Sequence, residues 1–195
     1  LGQGHGIPIT GRLLKLGAAP SLGTDVDTVV SSEILLAARM AAAHQRGIDH
    51  LMQRHLTGTS AEKATVTSKQ ALSWATVEGA RALGLSEHVG RLLPGMQADL
   101  VVIDATALNL WPAHDAVAAA LHASIVNIES VMIAGQWRKR DHELLGVELD
   151  EVADRLLSSG EHLLQGLNKR GILAGLKRRV VRRVVGRRLA NQARR

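Results

Sequence analysis

Residues 71–105 read ALSWATVEGARALGLSEHVGRLLPGMQADLVVIDA, and the pattern changes in the middle. Up to Leu83 the apolar positions Leu72, Ala75, Ala80 and Leu83 keep a helical face, with Ser68 ahead as a cap and Gly84 as a stop. From Val89 the spacing is that of a sheet. Pro94–Gly95 marks a turn, and Leu100–Val101–Val102–Ile103 is a continuous, mostly β-branched run bounded by Asp99 and Asp104. A helix that hands over to a strand in this way predicts an α/β chain.

Downstream, IESVMIAGQWRKRD predicts two short strands around a turn at Ala134–Gly135. Residues 114–124 predict a short helix between the two strand regions. Upstream, Pro8 opens and Gly17 closes a helix over 7–17. A short apolar segment then ends in Gly23–Thr24–Asp25. Another helix follows over 32–46, capped by Ser31 or Ser32, with a further turn or two over 48–57. Helix, short buried strand, acid, helix is the rhythm of a βα unit. Residues 147–167 have helical spacing with a soft spot at Ser158–Ser159–Gly160, and no internal repeat is present.

Composition narrows the function classes. The chain has 195 residues, 46% hydrophobic and 22% charged, which is the balance of a folded domain. It has no Phe and no Tyr, only Trp74, Trp111 and Trp137, so the core must be aliphatic and base stacking on aromatic platforms has little to work with. With no Cys, disulfides, thiolate metal sites and Cys nucleophiles are excluded. There is no membrane-length apolar run and no charged-then-apolar leader, and a cytoplasmic setting is the expectation. The first residue is Leu rather than Met, which predicts a processed product or a piece of a longer chain.

The net charge of +6 is unevenly placed. Residues 169–195 hold eleven of the 24 cations and no acid, leaving thirteen cations against all eighteen acids elsewhere. Leu176, Val180, Val181, Val184, Val185 and Leu189 fall on one face of that tail and the arginines on the other. Two readings stand side by side: nonspecific binding to nucleic acid or to an anionic membrane through 169–195, and a solvated amphipathic helix packed on the acidic body.

Three stretches taken in order carry a resemblance: GIPITGRLLKLGAAPSLGTDVDT at 6–28, the 71–105 stretch, and VMIAGQWRKRD at 131–141. Together they resemble the C-terminal portion of the metal-dependent amidohydrolase superfamily, on the cytosine deaminase, chlorohydrolase and adenosylhomocysteine deaminase branch. The likeness covers roughly residues 4–145, and Gln136 departs from the usual arginine of the closing hairpin. It implies the last part of a (β/α)8 TIM-type barrel plus the returning half of a small β-sandwich, followed by a helical basic tail. The implied domains are 1–86 for the barrel units, 87–145 for the sandwich half, and 146–195 for the extension.

The resemblance further implies a hydrolase acting on non-peptide C–N bonds, a deaminase-type enzyme. Metal-activated water would attack an amino-substituted ring carbon of a nucleobase-like or azole/triazine-like small molecule. Asp25, at the end of the eighth barrel strand, is implied as both metal ligand and catalytic proton carrier for one divalent ion, zinc or iron. His5 is a candidate for facing substrate, against a plain surface-loop histidine. Asp27 is read as an acid on the approach to the next helix, His50 and His55 as solvated, Asp115 as a helix cap, and Trp74 as a core anchor. None of the nine histidines is spaced H-x-H, and a whole barrel takes on the order of 250 residues. The expectation is therefore a fragment that is inactive alone and forms a homodimer when complete. The alternative is a non-catalytic remnant or assembly partner.

Overall fold

The computed structural model describes residues 6–26 and 31–167. The chain divides into two compact units at Leu145/Gly146. In the first, α1 (Thr10–Lys15), α2 (Ile34–Thr57), α3 (Ser68–Trp74) and α4 (Val77–Ala82) precede β1 (Leu100–Ile103). Then come α5 (Ala116–His122), a 3-10 turn (Ile125–Asn127), β2 (Ile128–Ile133), β3 (Gln136–Arg140) and β4 (Glu143–Leu144). The second unit contains helix α6 over residues 149–167. Among the described residues no helix is long and apolar enough to cross a membrane.

The helical part is held by one cluster. Ala38, Ala41 and Ala42 of α2 sit at i, i+3, i+4 and form a wall of small side chains. Trp74 and Ala71 of α3, Val66 and Leu121 of α5 fill the space against that wall. Arg39 projects from the same helix and donates from Nη1 to the carbonyls of His122 (2.6 Å) and Ala123 (3.0 Å), closing the end of α5.

Several helix boundaries differ from the sequence expectation. The segments 32–46 and 48–57 are one helix, α2, running through Gly47. A helix-interior glycine costs about 1 kcal/mol against alanine, and the buried stripe on either side outweighs it. Neither Ser31 nor Ser32 is the cap of α2; Glu33 is, without a side-chain bond. Ser68 likewise does not cap α3. Thr67 does, accepting from the Gln70 amide at Oγ1 (3.2 Å), while Gln70 Oε1 accepts from the Thr67 amide (2.9 Å). The single helix expected to Leu83 is broken at Thr76, whose φ of −131° and ψ of −93° leave the helical region. Gly84 stops α4 as expected. It sits at φ 72°, where the Leu85 amide reaches back to the Ala80 carbonyl at 2.8 Å. Helix α1 starts at Thr10 rather than near Pro8, and α6 runs through Ser158–Ser159–Gly160 without interruption.

The sheet is antiparallel in the order β1-β2-β3-β4. Leu100 opposes Met132 and Val101 opposes Val131, with a bulge after Val102. The expected hairpin is present. Ala134 (φ 49°) and Gly135 (φ 78°) both take left-handed backbone, the geometry that matches strand twist in a two-residue loop. The acids that bracket β1 have structural work. Asp99 Oδ1 accepts from the Ala134 amide at 2.6 Å and fixes the hairpin turn. Asp104 Oδ1 accepts from the Thr106 amide and hydroxyl (2.8 and 2.7 Å) and ends the strand.

Asn127 joins sheet to helices. It is 1% exposed, exchanges two amide bonds with Asn109 (2.8 and 3.1 Å), and accepts from the Ser124 amide and hydroxyl. Its Nδ2 also donates to the Asp104 carbonyl (3.3 Å). Replacing Asn127 with Ala removes five hydrogen bonds of a side chain that is 1% exposed: those it accepts from Asn109 and from the Ser124 amide and hydroxyl, and those it donates to Asn109 and the Asp104 carbonyl. The expected loss is about 2–3 kcal/mol in urea unfolding, and a variant within 0.5 kcal/mol of the parent would refute this account.

Candidate active-site carboxylate

After α1 the chain turns at Gly17 and runs on to residue 26 without a helix or a ladder-paired strand. Burial alternates with period two along it. Pro20 is buried, Leu22, Thr24 and Val26 are half-buried, and Ser21, Gly23 and Asp25 are exposed. This is the signature of a pleated segment with one face on a core. Leu22 supplies the anchor, packing with Leu14 against the Ala38–Trp74 cluster. The same parity that turns Leu22 inward turns Asp25 outward.

Residues 21–25 are expected to end a barrel strand, and among the described residues no strand is assigned there. A strand is defined by the neighbour that shares its hydrogen bonds, and here the pleat stands without one. At Asp25 the backbone leaves the extended region for φ 62°. Non-glycine residues rarely adopt that conformation, Asp and Asn most readily, and it redirects the chain directly at the carboxylate.

The remaining sequence candidates separate. His5 and Asp27 lie outside the described residues, as does the tail from 168 onward. Asp115 caps α5, its Oδ1 accepting from the Ala118 amide at 2.7 Å. His50 is not simply solvated: half-buried on α2, it accepts from the Ala61 amide at Nδ1 (3.1 Å) and so helps fasten the connection after that helix.

Asp49, one residue earlier, went unnoticed in the sequence and is the most heavily bonded acid of the helical part. It accepts from the Thr65 amide (2.7 Å), the Thr65 hydroxyl (2.8 Å) and Gln45 Nε2 (2.8 Å). Burial raises its pKa, but the Thr65 amide, Gln45, the Thr65 hydroxyl and the charge of Lys15 together hold it below the ordinary 3.8. The folded value lies under the unfolded one. Its stabilisation is therefore present at neutral pH and lost as pH falls through the folded value, below about 4. Asp49→Asn, which offers Thr65 an NH2 group or at best one acceptor, is expected to cost about 1–2 kcal/mol at pH 7. The same change should flatten the acid limb of the stability profile, read from urea unfolding between about pH 2.5 and 7; an unchanged limb would refute it. A cleft of about 150 Å³ beside Asp49 is lined by Arg46, His50, Glu62 and Lys63 as well, charges of both signs that set up no single-signed field.

A structural or catalytic zinc takes three or four protein ligands. Among the described residues no three His, Asp or Glu side chains converge in that way. Asp25 offers a single carboxylate, so these residues do not make a metal site on their own.

The amidohydrolase family model matches residues 4–138. A 5-methylthioadenosine/S-adenosylhomocysteine deaminase of Teredinibacter turnerae is 30% identical over 145 residues, covering 74% of this chain and 30% of the relative. An 8-oxoguanine deaminase of Pseudomonas aeruginosa is 33% identical over 162 residues, covering 83% of this chain and 33% of its own. Among solved structures, an adenosine deaminase from Xanthomonas campestris with bound zinc superposes with a TM-score of 0.66 at 23% identity, over 80% of this chain and 33% of that one. The chain belongs to the amidohydrolase family, as the three sequence stretches implied. Its helices and small antiparallel sheet share the fold of those neighbours, and it spans about a third of the length of the curated relatives it matches.

Proposed function

We propose that these residues supply the carboxyl-terminal share of a deaminase-type amidohydrolase acting on non-peptide C–N bonds of a small heterocyclic amine. The reading rests on Asp25: an exposed carboxylate at the end of a core-anchored extended segment, in a family whose matched members include deaminases. The reaction adds water to an amino-bearing ring carbon and releases ammonia, leaving the carbonyl compound. Asp25 takes a proton from the attacking water and returns it to the departing amine, so its carboxylate is regenerated each turnover. A divalent ion belongs to this reading as a group whose further ligands come from outside the described residues.

The test is the mass of the native polypeptide in its own cell, followed by an ammonia-release assay on purine, pyrimidine and triazine amines. The expected result is a species well above 20.8 kDa that carries an H-x-H pair and hydrolyses one of these classes, with the 195-residue chain alone inactive. A native-length species bearing that pair and inert on every amine would overturn the reading. A native species of 20.8 kDa would turn it towards a non-catalytic assembly partner.

A further inference from the structure

Helix α6 is amphipathic. At 100° per residue, Leu149, Val152, Leu156, Leu163 and Leu167 define an apolar stripe that widens to roughly 140° with Leu157 and Leu164 at one border. Asp150, Asp154 and Glu161 run along that same border, so an acidic flank lies beside the leucines. These leucines are exposed. A continuous apolar stripe of this kind marks a surface built to be covered.

Within the same unit the sequence contains a complementary segment. Leu176, Val180, Val181, Val184 and Val185 recur at i, i+4, i+5, i+8 and i+9, and seven cations with no acid lie between Lys177 and Arg188. We propose that residues 176–189 dock on the apolar stripe of α6, their arginines against the flank of Asp150, Asp154 and Glu161. Charge decides between occupants. A second copy of α6 would set two acidic flanks against each other, whereas the 176–189 segment brings opposite charge and apolar side chains together. The intervening residues 168–175 include Gly171 and Gly175 and leave eight residues between the two segments.

Limited tryptic digestion of the 195-residue chain at low salt tests this, because Lys177–Arg188 is otherwise an ideal trypsin substrate. Cleavage there is expected to be at least tenfold slower in the parent than in the triple variant Asp150→Asn, Asp154→Asn, Glu161→Gln. Added salt should remove part of the protection. The pair Leu156→Ala and Leu163→Ala, which keeps helix propensity, should accelerate cleavage as well, and circular dichroism checks that α6 survives in both. Equal cleavage rates in the parent and both variants would overturn the proposal. So would protection that arises only on adding duplex DNA or phosphatidylserine vesicles, since the cationic segment would then be serving an external polyanion.

Discussion

Asp25→Asn is expected to lower ammonia release by the native-length polypeptide about 10²- to 10⁴-fold, the range contributed by one positioned proton carrier. Asn is the informative replacement for two reasons. It keeps the shape of the side chain but neither accepts nor delivers the proton. It also tolerates the left-handed backbone that Asp25 occupies at φ 62°, so the change in activity is not mixed with backbone strain. Asp25→Ala would add that strain and blur the result. Because Asp25 is exposed, unfolding of the Asn variant should stay within about 0.5 kcal/mol of the parent. An Asn variant of full activity would remove Asp25 from the chemistry and leave its unusual φ as a feature of the turn alone.

Trp74→Ala is expected to cost about 3–5 kcal/mol, a large fraction of the 5–15 kcal/mol that holds a typical domain together. Trp74 is 1% exposed and is the largest fully buried side chain of the first unit. Around it stand Ala38, Ala41, Ala42 and Ala71, methyl groups on helical backbone with no rotamer to swing into a void. Nothing else can stand in: the chain has no Phe or Tyr, and Trp111 is 66% exposed. Equilibrium urea unfolding followed by circular dichroism measures the loss, with Trp111→Ala as the control expected within about 0.5 kcal/mol. A Trp74→Ala chain within 1 kcal/mol of the parent would mean that the alanine wall closes over the gap.

Local chemistry was enough for part of this structure. Gly84 had to end a helix because the left-handed residue after it is cheapest for glycine. Ala134–Gly135 had to be a tight turn because a short strand-like segment stands on either side of it, and Leu100–Ile103 had to be a strand. The family was legible as a resemblance carried by three separated stretches, 6–28, 71–105 and 131–141. Trp74 was legible as an anchor because it lies within the helical spacing of 68–83 in an otherwise aliphatic chain.

Other features depended on what lies across space. Gly47 invited a break in α2, and only the burial of Ala38, Ala41, Ala42 and Gln45 on one face carried the helix through it. Thr76 gave no hint of the kink between α3 and α4. Asp49 looked like one more surface acid until Thr65, sixteen residues on, came to rest against it. Asn127 became a junction only when strand and helix ends met around it. The segment before Asp25 was read from the sequence as a short buried strand, yet a strand needs a neighbour, and no reading of one segment supplies it. Periods and caps are set by residues within a few positions of each other, so sequence determines them; burial and pairing are set by distant partners, so only the tertiary structure does.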